Sequence, residues 1–475
     1  MIKIYLIAAR SVAFSSLVML AATGPLHGQE APPAVNKPIL RLEAGGPTSN
    51  ITSLAFSPDG ETLYAAGFDK VVRVWGRDPK TGRFELDEKR YFRVPINPGT
   101  EGSINAMALS PDGEWLAVGG RGMTRVSAGF FKAAGRVWPV VGRTPELRYD
   151  QGQIYVFSTR RQDVRLLRGH SGEIISLAFV PAAAGQMPLL ASAARGWDFE
   201  AKKVAGEVRV WDVAKEQQLG EWVDLPPPPE GGLLPGLAPV RTGPKPNQVR
   251  VVVAWGDQHQ GAAGPLGYLR ILDLDGPKGH VQKLEDGYHN TALALMPDGK
   301  SLWGGSFADG QGQARLWDVT ANPPAVTRRL ALTATNPSFY FPDRLASFGL
   351  SDDGPPDHLA VLVRQMTKVD SKWAEENRLH LVDELGQTKA AVPLWKNMLI
   401  APALAVSTRG RAIAVAGHKD HAIRVFAIPD LLRGQAEPQI LHSAGATIRQ
   451  VAFATRTEKG QTRLGLLMNE ASGKA

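Results

Sequence analysis

The chain has 475 residues, 43% of them hydrophobic, with 54 basic and 46 acidic side chains and a formal net charge of +8. It contains no Cys, which excludes disulfides, thiolate metal sites, cysteine nucleophiles and a lipidated N-terminal cysteine. Basic residues are interleaved with acids, and there is no Lys/Arg block, RRM signature or zinc-finger spacing, so nothing recommends a nucleic-acid partner.

At the N-terminus, Lys3 and Arg10 accompany an apolar run from about Val12 to Ala22, and small and polar residues follow. This is the pattern of a secretory signal peptide over residues 1–28, followed by a Pro-rich linker over 29–38. The run is too short for a membrane span, and no later segment reaches the roughly 18 apolar residues that a span needs. The folded part is therefore expected to be secreted or periplasmic.

From residue 39 to 475 one unit recurs. Its clearest copy is "ITSLAFSPDGETLYAAGFDKVVRVW" from Ile51. Further copies open at Ile104, Ile174, Thr291, Leu345, Ala401 and Thr447, with a degenerate one around Gln248. Such repetition means one supersecondary unit used many times. In each copy two runs of small and apolar residues suit strands buried on both faces. "SPDG" between them is a tight turn, with Pro58 presetting φ, Asp59 bonding back to backbone and Gly60 accepting positive φ. "VVRVW" alternates around Arg73 as a third strand. The charged "RFELDEKRYFRV" reads as a fourth, edge strand. The expectation is an all-β propeller of seven or eight four-stranded blades. The last unit, from Thr447, supplies two strands only, so the sequence is expected to be cut in mid-repeat.

The strand endings "VVRVWGRD", "EVRVWDV" and "ARLWDV", with the Gly-His opening "GHSGEIISLAF" at Gly169, resemble WD40 repeats. The resemblance covers nearly all of 39–475 and implies a ring closed by an N-terminal strand, for which "ILRLEAG" at Ile39 is well placed. It also implies structural roles for Trp75, Trp211 and Trp317 in the third strands. His170 would belong to a buried tetrad of His, Asp, Ser/Thr and Trp, with Asp69 and Asp420 in the register of the turn Asp. Large secreted bacterial proteins join such propellers to other modules, and the chain resembles the N-terminal propeller of one.

Catalytic chemistry is not visible. "GHSGE" lacks the second Gly of a nucleophile elbow, and His418 and His421 have no third ligand at a recognisable spacing. "SDDG" at Ser351 occupies the slot of "SPDG" rather than a calcium loop. No catalytic, cofactor or metal residue is assigned. The alternative is a propeller enzyme, lactonase- or dehydrogenase-like, with a site at the central channel. That would need a series of convergent carboxylates, His or Arg at equivalent positions, which the repeats do not show.

Insertions instead recur at one point, between second and third strands: 121–150, 195–205, 256–265 and 365–376. The first carries Arg125, Phe130, Phe131, Arg136 and Trp138. The second carries Arg195 and Trp197, and the fourth Lys372 and Trp373. Aromatic and Arg side chains are the usual binding anchors. The expected function is a non-catalytic scaffold whose loop face holds a protein partner or an acidic polymer outside the cytoplasm. "LPPPPEGGLLP" from Leu225 is read as a stiff connector between blades.

Overall fold

The computed structural model describes residues 46–471 apart from a set of connecting segments, the longest being 140–151, 226–235 and 256–267. Blade 1 contains β1 (Ile51–Phe56), β2 (Thr62–Gly67), β3 (Val71–Arg77) and β4 (Phe84–Arg93). β5 (Ile104–Leu109) and β6 (Trp115–Gly120) begin blade 2; a small hairpin, β7 (Phe130–Ala133) and β8 (Arg136–Pro139), interrupts it before β9 (Gly152–Ser158) and β10 (Val164–His170). Blade 3 is β11 (Glu173–Phe179), β12 (Leu189–Asp198), β13 (Lys203–Asp212) and β14 (Gln217–Leu225). Blade 4 is β15 (Gly236–Arg241), β16 (Val249–Trp255), β17 (Tyr268–Asp273) and β18 (His280–Asp286). Blade 5 is β19 (Ala292–Leu295), β20 (Ser301–Ala308), β21 (Gln311–Asp318) and β22 (Ala325–Leu332). Blade 6 is β23 (Ser338–Phe348), β24 (His358–Val369), β25 (Lys372–Asp383) and β26 (Thr388–Lys396). Blade 7 is β27 (Ala403–Val406), β28 (Ala412–Ala416), β29 (Ile423–Ala427) and β30 (Gln439–Leu441), with a single-turn helix α1 (Ile428–Leu432) after β29. Each blade is an antiparallel sheet whose strands follow one another outward in chain order.

The residue pattern explains the radial order. Second strands such as β6 (WLAVGG) and β28 (AIAVA) are buried at every residue, because both their faces meet neighbouring blades. Outer strands such as β4 and β22 expose charged side chains, which protect the rim from pairing with other chains. The turn between first and second strands repeats its chemistry. Gly60 N–H donates to Ser57 O at 2.8 Å and Gly113 N–H to Ser110 O at 2.8 Å. Asp59 and Asp112 accept the N–H of Glu61 and Glu114, both at 3.0 Å. Gly60 and Gly113 sit at φ of +75° and +73°, where a side chain would strain the backbone.

Seven apolar clusters form, one at each interface between neighbouring blades. The cluster between blades 7 and 1 includes Ile51, Leu63 and Trp75 from one side and Ala403, Ala414 and Ile423 from the other. Each innermost strand meets that of the next blade, and β27 returns to β1, so seven blades close the ring.

This decides between the expected blade numbers. Among the described residues β31 (Thr447–Glu458) and β32 (Gln461–Ala471) pair only with each other, as a two-stranded sheet beside the seven four-stranded blades. The outer strand of blade 7 is β30, from the same blade. The segment at Ile39 expected to supply that strand lies outside the described residues, as does Asp420.

Candidate functional site

A buried hydrogen-bonded chain ties the second and third strands of blade 3 to His170, the last residue of the outer strand of blade 2. Trp211 Nε1 lies 2.7 Å from Ser192 Oγ, and that hydroxyl lies 2.7 Å from His170 Nε2. His170 Nδ1 lies 2.9 Å from Glu207 Oε2. An indole N–H can only donate, so Ser192 accepts from it and spends its own proton on His170 Nε2. His170 is then the neutral tautomer with its proton on Nδ1, donating to Glu207. Burial pushes its imidazole below the ordinary value, against the pull of Glu207. Burial opposes ionisation of Glu207, but hydrogen bonds from His170 and Ser171 outweigh it and hold the carboxyl below its usual range.

Ser192 thus links His170 to Trp211, and the carboxylate bonded to His170 is Glu207 of the third strand, where the resemblance implied an Asp in the turn before it. The physical reason is the length of the hairpin. β12 and β13 pair continuously from Leu189–Asp212 to Asp198–Lys203, so the turn lies far from His170. A side chain on β13 itself must reach instead. Gly196 makes room for it: a Cβ there would lie 2.1 Å from Glu207 Oε1. Asp69 does something else. It pairs with Arg73 and accepts Thr48 N–H at 3.1 Å. Trp75 and Trp317 are buried in the clusters at two other interfaces.

Two of the insertions between second and third strands, 195–205 and 365–376, lengthen the strands of their blades, and 121–150 contains a separate hairpin. In antiparallel blades that connection emerges on the face where the innermost strand begins, together with the links between blades. Phe131 stands opposite Trp138 and Ala133 opposite Arg136 in the β7–β8 hairpin. Arg195 pairs with Glu173 and Gly206, and Trp197 with Val204, along blade 3. Lys372 and Trp373 cap the long β24–β25 ribbon, opposite Val369 and Lys368. β23 lengthens with it, Ser338 standing opposite Thr367. The tip lies seven residues beyond Leu362, about 23 Å at 3.3 Å per residue. There Trp373 and Val369 are 50% and 52% exposed. Blades 2 and 3 are neighbours, and blade 6 is three blades from either around the ring, so the expected residues divide into two groups. Arg125 and the 256–265 insertion lie outside the described residues.

The innermost strands enclose a central channel with a cavity of about 200 Å³. Thr52 Oγ1 donates to Ile104 O at 2.8 Å and Asn105 Nδ2 to Ile174 O at 3.2 Å, stitching blades 1, 2 and 3 along its wall. Among the described residues no group of three or more His, Asp or Glu side chains is placed to hold a metal ion.

The model of the WD domain, G-beta repeat, matches residues 36–76 and 93–126. Periodic tryptophan protein 2 homolog of Dictyostelium discoideum is 23% identical over 216 residues, which are 38% of this chain and 19% of that protein. The chain thus matches about a fifth of that relative's length. Solved structures of U3-55K and of the RRP9 WD40 repeats align over 78% of this chain and 90% and 88% of theirs, at 17% and 16% identity and TM-scores of 0.43 and 0.42. Scores this low add nothing to the strand pairings, which define the propeller by themselves. The chain is a seven-bladed β-propeller that carries WD40 repeats over residues 36–76 and 93–126, and blade 3 holds a Trp–Ser–His–carboxylate chain.

Proposed function

We propose that this propeller is a non-catalytic scaffold that binds a protein partner through the face carrying the long ribbons. The observation that supports it best is the tip of blade 6, where Lys372, Trp373 and Val369 stand clear of the ring. A half-exposed Trp beside a cation on a stiff ribbon has the chemistry of a binding anchor, and the fold does not need it for its core. The β7–β8 hairpin and the blade 3 ribbon would supply a second contact on the same face. An acidic polymer remains the second ligand class that such basic and aromatic side chains suit.

A photo-crosslinking residue at position 373, introduced in the producing organism, tests this reading. Leu385 is the control: it is 74% exposed in the turn between third and fourth strands, on the opposite face. Capture of one defined protein from position 373 and not from 385 is expected. Equal capture from both positions, or from neither, would remove the ribbon face from consideration.

The location proposed is outside the cytoplasm, on the charged-then-apolar pattern of residues 1–28, which lie outside the described residues. N-terminal sequencing of the native protein is expected to begin near residue 29; a cytoplasmic protein beginning at Met1 would refute export.

A further inference from the structure

One register position lines the central channel in every blade. Pairing with the second strand identifies it: Ser53 stands opposite Ala66, Ala106 opposite Gly119, and Ser176 opposite Ala193. Gly236 stands opposite Ala254, Ala292 opposite Gly305, and Ala403 opposite Ala416. All six are small. The seventh, opposite Leu362, is Arg344.

Arg344 is the one charged side chain lining the cavity among the described residues. Thr52, Ser53, Asn105 and Ser176 supply polar wall on blades 1 to 3, across the ring from blade 6. Arg344 Nη1 donates to Asp343 O at 3.0 Å, which uses one of five N–H groups. The carboxylate next to it, Asp343, is buried and lies 3.5 Å from Arg364 Nε. The Asp343 carboxylate makes its ion pair with Arg364, while among the described residues the Arg344 guanidinium bonds a backbone carbonyl and no carboxylate, so its positive charge is left facing the channel. Burial pulls the Arg344 guanidinium below its ordinary value, and the charge of Asp343 only opposes that. An unpaired cation in such a place is costly, and a protein keeps one where it has a use.

We propose that the central channel is a binding site for a single carboxylate group, anchored by Arg344. The guanidinium fork matches a carboxylate through two parallel hydrogen bonds. A monoanion neutralises the site, whereas a phosphate dianion would leave a negative charge uncompensated in a confined space. The cavity has room for a small carboxylic acid or the side chain of an Asp or Glu, and excludes a polymer. The Ser176 hydroxyl, which makes no hydrogen bond among the described residues, is a further donor in the wall. This site does not depend on the ribbon-face reading. Its mouth opens on that face, however, so the carboxylate can come free from solution or on the side chain of a bound protein.

Calorimetric titration at constant ionic strength tests the site, with propionate, a Glu-containing tetrapeptide, its Gln counterpart and inorganic phosphate as probes. Saturable binding of a carboxylate probe is expected, at least tenfold weaker in Arg344→Met and weaker for phosphate than for carboxylate. Propionate binding would identify a free acid as the source. Binding of the Glu peptide, without the Gln peptide or propionate, would identify an acidic side chain. Arg344→Lys keeps the charge without the fork, is expected to bind with intermediate affinity, and serves if Arg344→Met does not fold. The proposal is overturned if no carboxylate probe binds the wild type, if phosphate binds more tightly, or if the Arg344 variants bind as the wild type does.

Discussion

Phe84 and Gln439 are 355 residues apart and bonded twice: Phe84 N–H donates to Gln439 Oε1 at 2.8 Å, and Gln439 Nε2 donates to Phe84 O at 2.7 Å. One side-chain amide thereby completes the backbone of the first blade's outer strand from the last blade. The pair sits at the seam where the ring closes, beside the Ile51–Ile423 cluster.

Gln439→Leu leaves the Phe84 amide and carbonyl without these partners next to buried apolar side chains. The expected cost is about 1–3 kcal/mol, the penalty for unsatisfied buried polar groups. Gln439→Glu keeps the acceptor and loses the donor, and is expected to fall between. Chemical denaturation with an unchanged m-value checks this; an effect below about 0.5 kcal/mol for Gln439→Leu would show that the bonds are replaced by water.

Ser192→Ala removes the atom that both Trp211 and His170 use. Two buried polar groups are orphaned at once, so a loss of about 2–5 kcal/mol is expected, while Ser192→Thr is expected to retain most of the stability. Thermal unfolding of the two variants side by side gives the comparison. A Thr variant as damaged as Ala would mean that packing and not hydrogen bonding dominates at this position.

Acid is expected to destabilise the ring in a definite window. His380 lies against Tyr340, and its imidazole is pushed down to about 4 by burial, with the charge of Arg378 adding to the effect. Its folded pKa is below its unfolded value. Above about pH 6.5 the residue is therefore neutral in both states and costs nothing. As pH falls from there towards 4, the unfolded chain takes up a proton that the fold refuses, and stability is lost. The shift corresponds to roughly 3 kcal/mol at its full extent. His170, also depressed by burial, acts in the same direction. His380→Phe is expected to flatten the decline between pH 6.5 and 4 without changing stability at pH 8 by a comparable amount. An unaltered pH profile would assign the acid sensitivity to other groups.

Amide hydrogen exchange is expected to separate β31–β32 from the blades. A two-stranded sheet is marginal by itself, whereas β11 is covered on both faces. Faster exchange over 447–471 than over 173–179 is the expected result. Equal protection would show that the hairpin is held as firmly as a blade.

The ring was legible in the sequence because most blades repeat the turn or the third strand, with "PDG" turns in blades 1, 2 and 5 and "RVW"-like endings in blades 1, 3, 5 and 7, and the small residues of the second strands demand burial on both faces. Glu207 was not legible as the partner of His170. The family pattern seeks an Asp in the turn, and only the long β12–β13 pairing shows that the turn has moved away. The cue that existed was Glu207, Arg209 and Trp211 alternating onto one face of β13. Arg344 was hidden for a different reason. It stands directly before Leu345 as Ser53 stands before Leu54, with the same bulge ahead of it, but nothing in the spacing marks that position as one that lines the channel. The segments 195–205 and 365–376 were read as insertions, and alternation in so short a stretch did not reveal them as strand ribbons.

Each blade is made from a single stretch of chain, with only the small β7–β8 hairpin inserted in blade 2, and this has a consequence for how the molecule assembles. Nearly all pairings are between near neighbours in sequence, so a blade can condense as soon as its own residues are free, and each new one has a finished surface to dock on. Such a chain can fold progressively from its N-terminal side while the rest is still being made or moved. The seam between blades 1 and 7 is the exception: its loop spans most of the polypeptide, so it forms last and, under load or heat, opens first.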